Sequence, residues 1–178
     1  MTFDYRKDNR TEEEFAADIK FRTLKEKFLM ELYAAEMRHM GHTVVLENNG
    51  TDNTGKLKKK GVTAAPDYRV TTNGEVALVE VKNSPVGFKW TFKVYNLKQY
   101  VKAGASILIF WDTGYIDKDP NKINLDKARF GMITHENLAA MLEEYEHYKE
   151  PKFGNKVCIQ IPKDDFSKWL TPRRITHV

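Results

Sequence analysis

The chain has a single cysteine, Cys158, among 178 residues. An internal disulfide is therefore excluded, and so is a zinc site built on several thiolates. No apolar run approaches the about 18 residues of a transmembrane span. The opening MTFDYRKDNR has none of the apolar centre of a secretory signal. There is no phosphate-loop or dinucleotide glycine fingerprint. Internal repeats, low-complexity tracts and a dividing linker are missing too. These absences lead to the expectation of one soluble domain over residues 1–178, with no membrane association. The expected location is intracellular and cytoplasmic, in a bacterial or phage-infected cell.

What is present is a folding composition: 41% hydrophobic, 12% aromatic and 30% charged residues. Mean hydropathy is −0.59, so the surface is strongly solvated. At this length roughly 70% of the unfolded surface can be buried without staples. The net charge is +4, but it is unevenly spread. Glu12, Glu13 and Glu14 crowd one end, and Glu143, Glu144 and Glu146 the other. Lys56, Lys58, Lys59, Lys60, Lys82, Lys89, Lys93, Lys98 and Lys102 crowd the middle. A basic centre admits an anionic partner without demanding one.

Thr11-Glu12-Glu13-Glu14 has the form of a capping box: the hydroxyl takes the N3 amide and Glu14 reaches back. The spacing predicts a helix to about Met40, with Phe15, Ile19, Leu24, Phe28, Leu32, Ala35 and Met37 as its apolar stripe. Gly41 stands where a left-handed cap would end it. Residues 43–46 read as a short strand. Residues 48–64 are a polar stretch whose run Lys56-Leu57-Lys58-Lys59-Lys60 suits either a phosphate-contacting loop or a solvated one.

Asn73-Gly74 lies between two strand-like runs, Tyr68–Thr72 and residues 75–81. This is the strongest short hairpin signal, because a type I′ turn needs positive φ at both central residues. The second run is apolar on both faces up to Val79, which predicts a central buried strand. Residues 91–103 read as a helix closed by Gly104, and residues 106–111 as another buried strand. Strand, helix and strand in that order predict a parallel pair. Residues 112–126 are a polar excursion. Arg129–Ile133 reads as a strand, Thr134 as the cap of a helix to about Tyr148, and residues 157–161 as a late strand.

The hairpin fixes a register. With Thr72 facing Glu75 across the turn, counting back along both strands sets Asp67 opposite Glu80. Opposed residues share a face, with Cβ atoms roughly 4.5–5.5 Å apart. Lys82, two residues past Glu80, joins that face. Opposed carboxylates repel. A divalent cation bridging them would relieve the repulsion, and oxygen ligands suit Mg2+. The plainer alternative is a surface ion cluster, with Lys82 offsetting part of the charge for ~1 kcal/mol or less.

Other arrangements carry less. Asp117-Lys118-Asp119 imitates the opening of an EF-hand, but Lys122 stands where glycine and Ala128 where glutamate is required. His39 and His42 straddle a helix end with no third soft ligand nearby, which suits a helix-terminus role. Cys158 falls in an apolar strand and reads as buried and inert. Trp90, Phe92 and Tyr95 read as core aromatics rather than stacking platforms.

Pro66-Asp67, followed by Glu80-Val81-Lys82 after an apolar strand, resembles the signature of the PD-(D/E)XK nuclease superfamily. That superfamily includes restriction enzymes, Holliday-junction resolvases and homing endonucleases. The resemblance implies an α/β fold with a restriction-endonuclease-like core, a mixed central sheet flanked by helices. It covers residues 11–111 and leaves 112–178 as a C-terminal elaboration. It implies that Asp67 and Glu80 bind Mg2+ (or Mn2+ as a substitute), helped by the Val81 or Ala65 carbonyl. Lys82 then orients water or stabilises the transition-state phosphate. A further first-helix glutamate is implied: Glu31 by distance from the first strand, with Glu26 and Glu36 as rivals. Gln99, on the helix after the lysine strand, matches a glutamine that many members carry there.

The activity implied is Mg2+-dependent hydrolysis of DNA phosphodiester bonds, site-specific or structure-specific. Lys56, Lys58, Lys59, Lys60, Lys89, Lys93, Arg173 and Arg174 are the expected DNA-binding residues, giving salt-dependent affinity. One site per chain implies a nick, or a homodimer or higher homo-oligomer for double-strand cleavage. Two alternatives stand beside this: a catalytically weak nuclease-fold protein that binds DNA or serves an assembly, and a nuclease directed at RNA.

Overall fold

The computed structural model describes residues 10–49, 65–84, 90–114 and 119–177. In chain order the elements are α1 (Glu12–His39), β1 (Val44–Asn48), β2 (Tyr68–Thr72), β3 (Glu75–Ser84), β4 (Trp90–Lys93), α2 (Val94–Ala103) and β5 (Ala105–Trp111). They continue with β6 (Arg129–Ile133), α3 (His135–Glu144), β7 (Tyr148–Glu150), β8 (Lys156–Ile161), α4 (Phe166–Trp169) and β9 (Arg173–Arg174). The central sheet has the order β1-β2-β3-β5-β6-β9, and a second sheet has the order β4-β8-β7. The pair β3–β5 is parallel and every other pairing is antiparallel. The architecture is therefore mixed α/β, with a mixed central sheet between helical layers, as the sequence predicts. Among the described residues no helix is long and apolar enough to cross a membrane.

The local signals explain the ends of α1. Thr11 and Glu14 make the reciprocal capping box, and Gly41 follows the helix at φ 89°. The Gly41 and His42 amides close back onto the Arg38 and Met37 carbonyls, which is the Schellman pattern a left-handed residue permits. The hairpin turn has φ 52° at Asn73 and 87° at Gly74. Its register pairs Thr72 with Glu75 and Tyr68 with Val79. The Asn73 side chain also accepts the Thr43 amide at 2.9 Å, tying the turn to the start of β1.

The central sheet has a core on each face. On one side Leu29, Met30 and Tyr33 of α1 cover Val70, Val79, Val81, Leu108 and Phe110. On the other, Leu97 and Tyr100 of α2, Leu138 and Met141 of α3, and Phe92 and Ile159 of the second sheet cover Ile107 and Ile109. The C-terminal segment crosses β6 at Gly131, where a Cβ would meet Leu170 Cδ1 at 2.5 Å.

Three expectations need correction. Residues 91–103 are not one helix: Trp90–Lys93 is a strand on β8, with Trp90 and Phe92 buried and Thr91 and Lys93 on the other face. The period of two gives way to a helical period only at Val94. The helix after Thr134 stops at Glu144, and Tyr148 opens a strand that pairs with Cys158. The inward face of α1 is broader than the expected stripe and leaves out Leu24, which is 44% exposed. Leu32 is buried and Phe28 and Met37 pack against the core as expected, but Lys25, Leu29, Met30, Tyr33, Ala34 and Glu36 are buried too. Apolar residues nearly encircle this helix, so the surfaces packed against it choose the face.

Candidate active site

The site lies where β2 and β3 leave the hairpin ladder. Asp67 immediately precedes β2. Its carbonyl accepts the Asn49 amide at 2.8 Å, and the Pro66 carbonyl accepts the Asn49 side-chain amide at 3.1 Å. The end of β1 thus fixes the backbone that carries Asp67. The ladder's last pair is Tyr68 with Val79, and one step further the Asp67 carboxylate itself accepts the Val81 amide at 2.9 Å. The Val81 carbonyl leaves the strand on the same side as its N–H, toward Asp67.

Glu80 points to the other face of β3, toward α2, and is 7% exposed. Its Oε1 accepts the Tyr100 hydroxyl at 2.7 Å and also contacts Lys82 Nζ. Lys82 shares that face by strand alternation, and its ammonium lies 6.0 Å from the Tyr100 ring centre. From the first helix, Glu26 completes the group: its carboxyl feels the charges of Asp67, Lys82 and Glu80.

Electrostatics follow from this crowding. Burial, and then the neighbouring Glu80 carboxylate, push Asp67 up to about 7, although the Val81 amide and Lys82 pull the other way. Burial and then Asp67 push Glu26 up to about 7, with Lys82 opposing. Burial and the Glu80 charge together push the Tyr100 hydroxyl far above its ordinary value, so it remains a donor. Burial, and then Glu26 and Asp67, push Tyr68 up to about 12. Carboxylates raised by burial and by a neighbouring carboxylate are a recognised mark of functional centres.

The predicted residues part company here. Asp67, Glu80, Val81 and Lys82 come together. Glu31 does not join them: it is exposed on α1, and its charge is felt at Tyr68. Glu36 is buried elsewhere, under the C-terminal segment. Glu26 is the glutamate that reaches the group, for a reason visible only once the buried face of α1 is known. It stands three, four and seven residues before Leu29, Met30 and Tyr33, along the truly buried stripe.

Gln99 makes no hydrogen bond to the group among the described residues. With α2 starting at Val94, Leu97 and Tyr100 face inward three residues apart, and Gln99 is turned aside by one helical step. Tyr100, absent from the predicted set, makes the contact instead.

Of the expected DNA-binding residues, Lys93 lies on β4, close enough to feel the Lys82 charge. Arg173 and Arg174 lie on β9, separated from β3 by β5 and β6, and do not converge on the site. Lys56, Lys58, Lys59, Lys60 and Lys89 fall outside the described residues.

The oxygens available to a divalent cation are those of Asp67, Glu80 and the Val81 carbonyl. Among the described residues no three His, Cys, Asp or Glu side chains are already gathered as a metal site; Lys82 and Tyr100 hold Glu80. The donors nonetheless fit a hard cation in kind, being all oxygen. No protein-family model matches this chain, and no curated protein matches it either.

Proposed function

We propose that this protein is a Mg2+-dependent endonuclease hydrolysing DNA phosphodiester bonds on a restriction-endonuclease-like core. The observation that carries the reading is the meeting of Asp67, Glu80, Lys82 and Glu26 at one end of the β2–β3 hairpin. Burial and then the Glu80 carboxylate raise Asp67, and burial and then Asp67 raise Glu26, so a bound cation would offset negative charge that the site resists holding. Asp67, Glu80 and the Val81 carbonyl hold that cation, with Mn2+ as a working substitute. Bound there, Mg2+ supplies a water of lowered pKa and a polarised phosphoryl oxygen. Lys82 exchanges its contact with Glu80 for the scissile phosphate and stabilises the negative charge that gathers on it. Tyr100 keeps Glu80 oriented through its hydroxyl. One such site nicks a duplex; a double-strand cut needs a second copy of the chain.

A second reading, DNA binding or assembly without catalysis, is favoured by one contact. Lys82 closes on Glu80 and so neutralises part of the site from within. Supercoiled plasmid separates the two. Nicking or linearisation with Mg2+, abolished by EDTA and by Lys82→Ala, is the expected result. Salt-sensitive retention of intact plasmid would move the assignment to the binding reading.

A further inference from the structure

The second sheet has one apolar face and one that carries Lys93 and Lys156 around the buried Cys158. Trp90, Phe92, Ile159 and Ile161 turn inward. The β4–β8 register sets Lys93 opposite Cys158, and Lys156, two residues before Cys158, shares their face. Lys93 and Lys156 are thus diagonal neighbours, a spacing of roughly 7–8 Å between backbone positions. Lys93 Nζ also lies 5.1 Å from the centre of the Phe153 ring, itself 38% exposed.

Neither lysine has an ion-pair partner among the described residues. Glu150 faces Lys156 across β7–β8 and offsets part of its charge without closing an ion pair; its oxygens accept the Tyr148 hydroxyl and the Lys152 amide, each at 3.1 Å. Burial, then Lys156 and, more weakly, Lys82 bear on the Lys93 ammonium, and together they lower its pKa. Lys93 and Lys156 repel one another, Lys82 adds to the repulsion at Lys93, and the single carboxylate of Glu150 leaves this face net positive. An anion lying along them removes that repulsion.

We infer that the outward face of the second sheet, through Lys93, Lys156 and the Phe153 ring, is a platform for the phosphodiester backbone of a nucleic-acid strand running past Lys82. The inference rests on the nuclease reading for the choice of nucleic acid over another polyanion. The exposed aromatic beside the lysines suits a sugar or base alongside the phosphates. On this reading β4, β7 and β8 extend a phosphate track beyond the carboxylates.

The test is binding of a fluorescently labelled DNA duplex in EDTA, followed against salt concentration, so that neither metal nor cleavage enters. Four proteins are compared: the wild type, Lys93→Gln/Lys156→Gln, Lys93→Arg/Lys156→Arg, and the charge-matched control Lys98→Gln/Lys102→Gln on α2. Each lost phosphate contact lowers the slope of log affinity against log salt by about 0.9. The first double variant is expected to lose about 1.8 of slope, with an unchanged melting temperature. The arginine variant and the α2 control keep the wild-type slope.

Equal losses in both glutamine variants, or a loss in neither, would overturn the platform. So would polyglutamate binding with the same slope and the same sensitivity to Lys93→Gln/Lys156→Gln, which would reassign the face to an acidic protein. Unchanged binding alongside Mg2+-dependent cleavage removes the platform and leaves the nuclease. A lost slope without any wild-type cleavage does the reverse.

Discussion

Helix α1 carries one partly buried glutamate, Glu26, and one buried glutamate, Glu36, and they end in opposite states. Glu26 meets Asp67 and the charge of Glu80, and burial together with that company pushes it up to about 7. Burial pushes Glu36 up as well, but donors surround it. The Thr176 amide and hydroxyl and the His177 amide and ring all bond to it, and together they bring it below its ordinary value. The His177 ring in turn stacks on His39, with centroids 3.6 Å apart. Burial alone therefore does not decide the charge of a carboxylate; its partners do. Glu36 is complete as a fastener between the C-terminal segment and α1. Glu26 and Asp67 are uncomfortable as anions, a condition that a bound cation would relieve.

Removing a carboxylate from each region should separate their roles. Glu80→Gln is expected to lower Mg2+-dependent cleavage by about a thousandfold, or about 4 kcal/mol of barrier, with little change in melting temperature. A plasmid time course measures the first and calorimetry the second. Glu36→Ala should do the opposite. It leaves the donors of Thr176 and His177 unpaired and costs about 3 kcal/mol of stability, read by urea unfolding. Cleavage per folded molecule stays unchanged.

The pH dependence of stability should also have opposite signs. The folded pKa values of Glu26 and Asp67 are raised from 4.5 and 3.8 to about 7. In metal-free protein their contribution is full below about pH 4 and is lost as the pH rises through about 7. Glu36 is lowered from 4.5, so its contribution is present above that value and lost as the pH falls below it. Urea unfolding in EDTA should show Glu26→Gln more stable than wild type at pH 8 and equal to it at pH 4. Glu36→Gln should cost most near neutrality and least in acid. Parallel profiles for the two variants would break the comparison.

The smallest effect should come from Glu31→Gln. An exposed helix glutamate away from special contacts is worth under about 0.5 kcal/mol, and cleavage should not change. A large loss of cleavage in this variant would return the first-helix role to Glu31.

The parts of the site legible in the sequence were the local ones. Asn73-Gly74 sets the register by itself, because only a turn with positive φ at both centres joins two strands so tightly, and the register carries Asp67 to Glu80 and Lys82. Thr11, Gly41 and Thr134 marked helix ends through hydrogen bonds to nearby backbone. What escaped was settled by distant partners. Trp90–Lys93 became a strand because residues 158–161 offered it an edge. Tyr100 replaced Gln99 because that strand delayed the start of α2 and set its rotation.

The amino-acid order by itself therefore determined the hairpin, its register, and the Asp67, Glu80 and Lys82 group at its end. Each of these follows from alternation and turn geometry within a few residues. Only the tertiary structure decided which glutamate of α1 joins that group and which one fastens the C-terminal segment. A helix with apolar residues nearly all round has no preferred face of its own. Its rotation is chosen by the sheet and the C-terminal segment that pack against it, and with that rotation come the neighbours that set each carboxylate's charge.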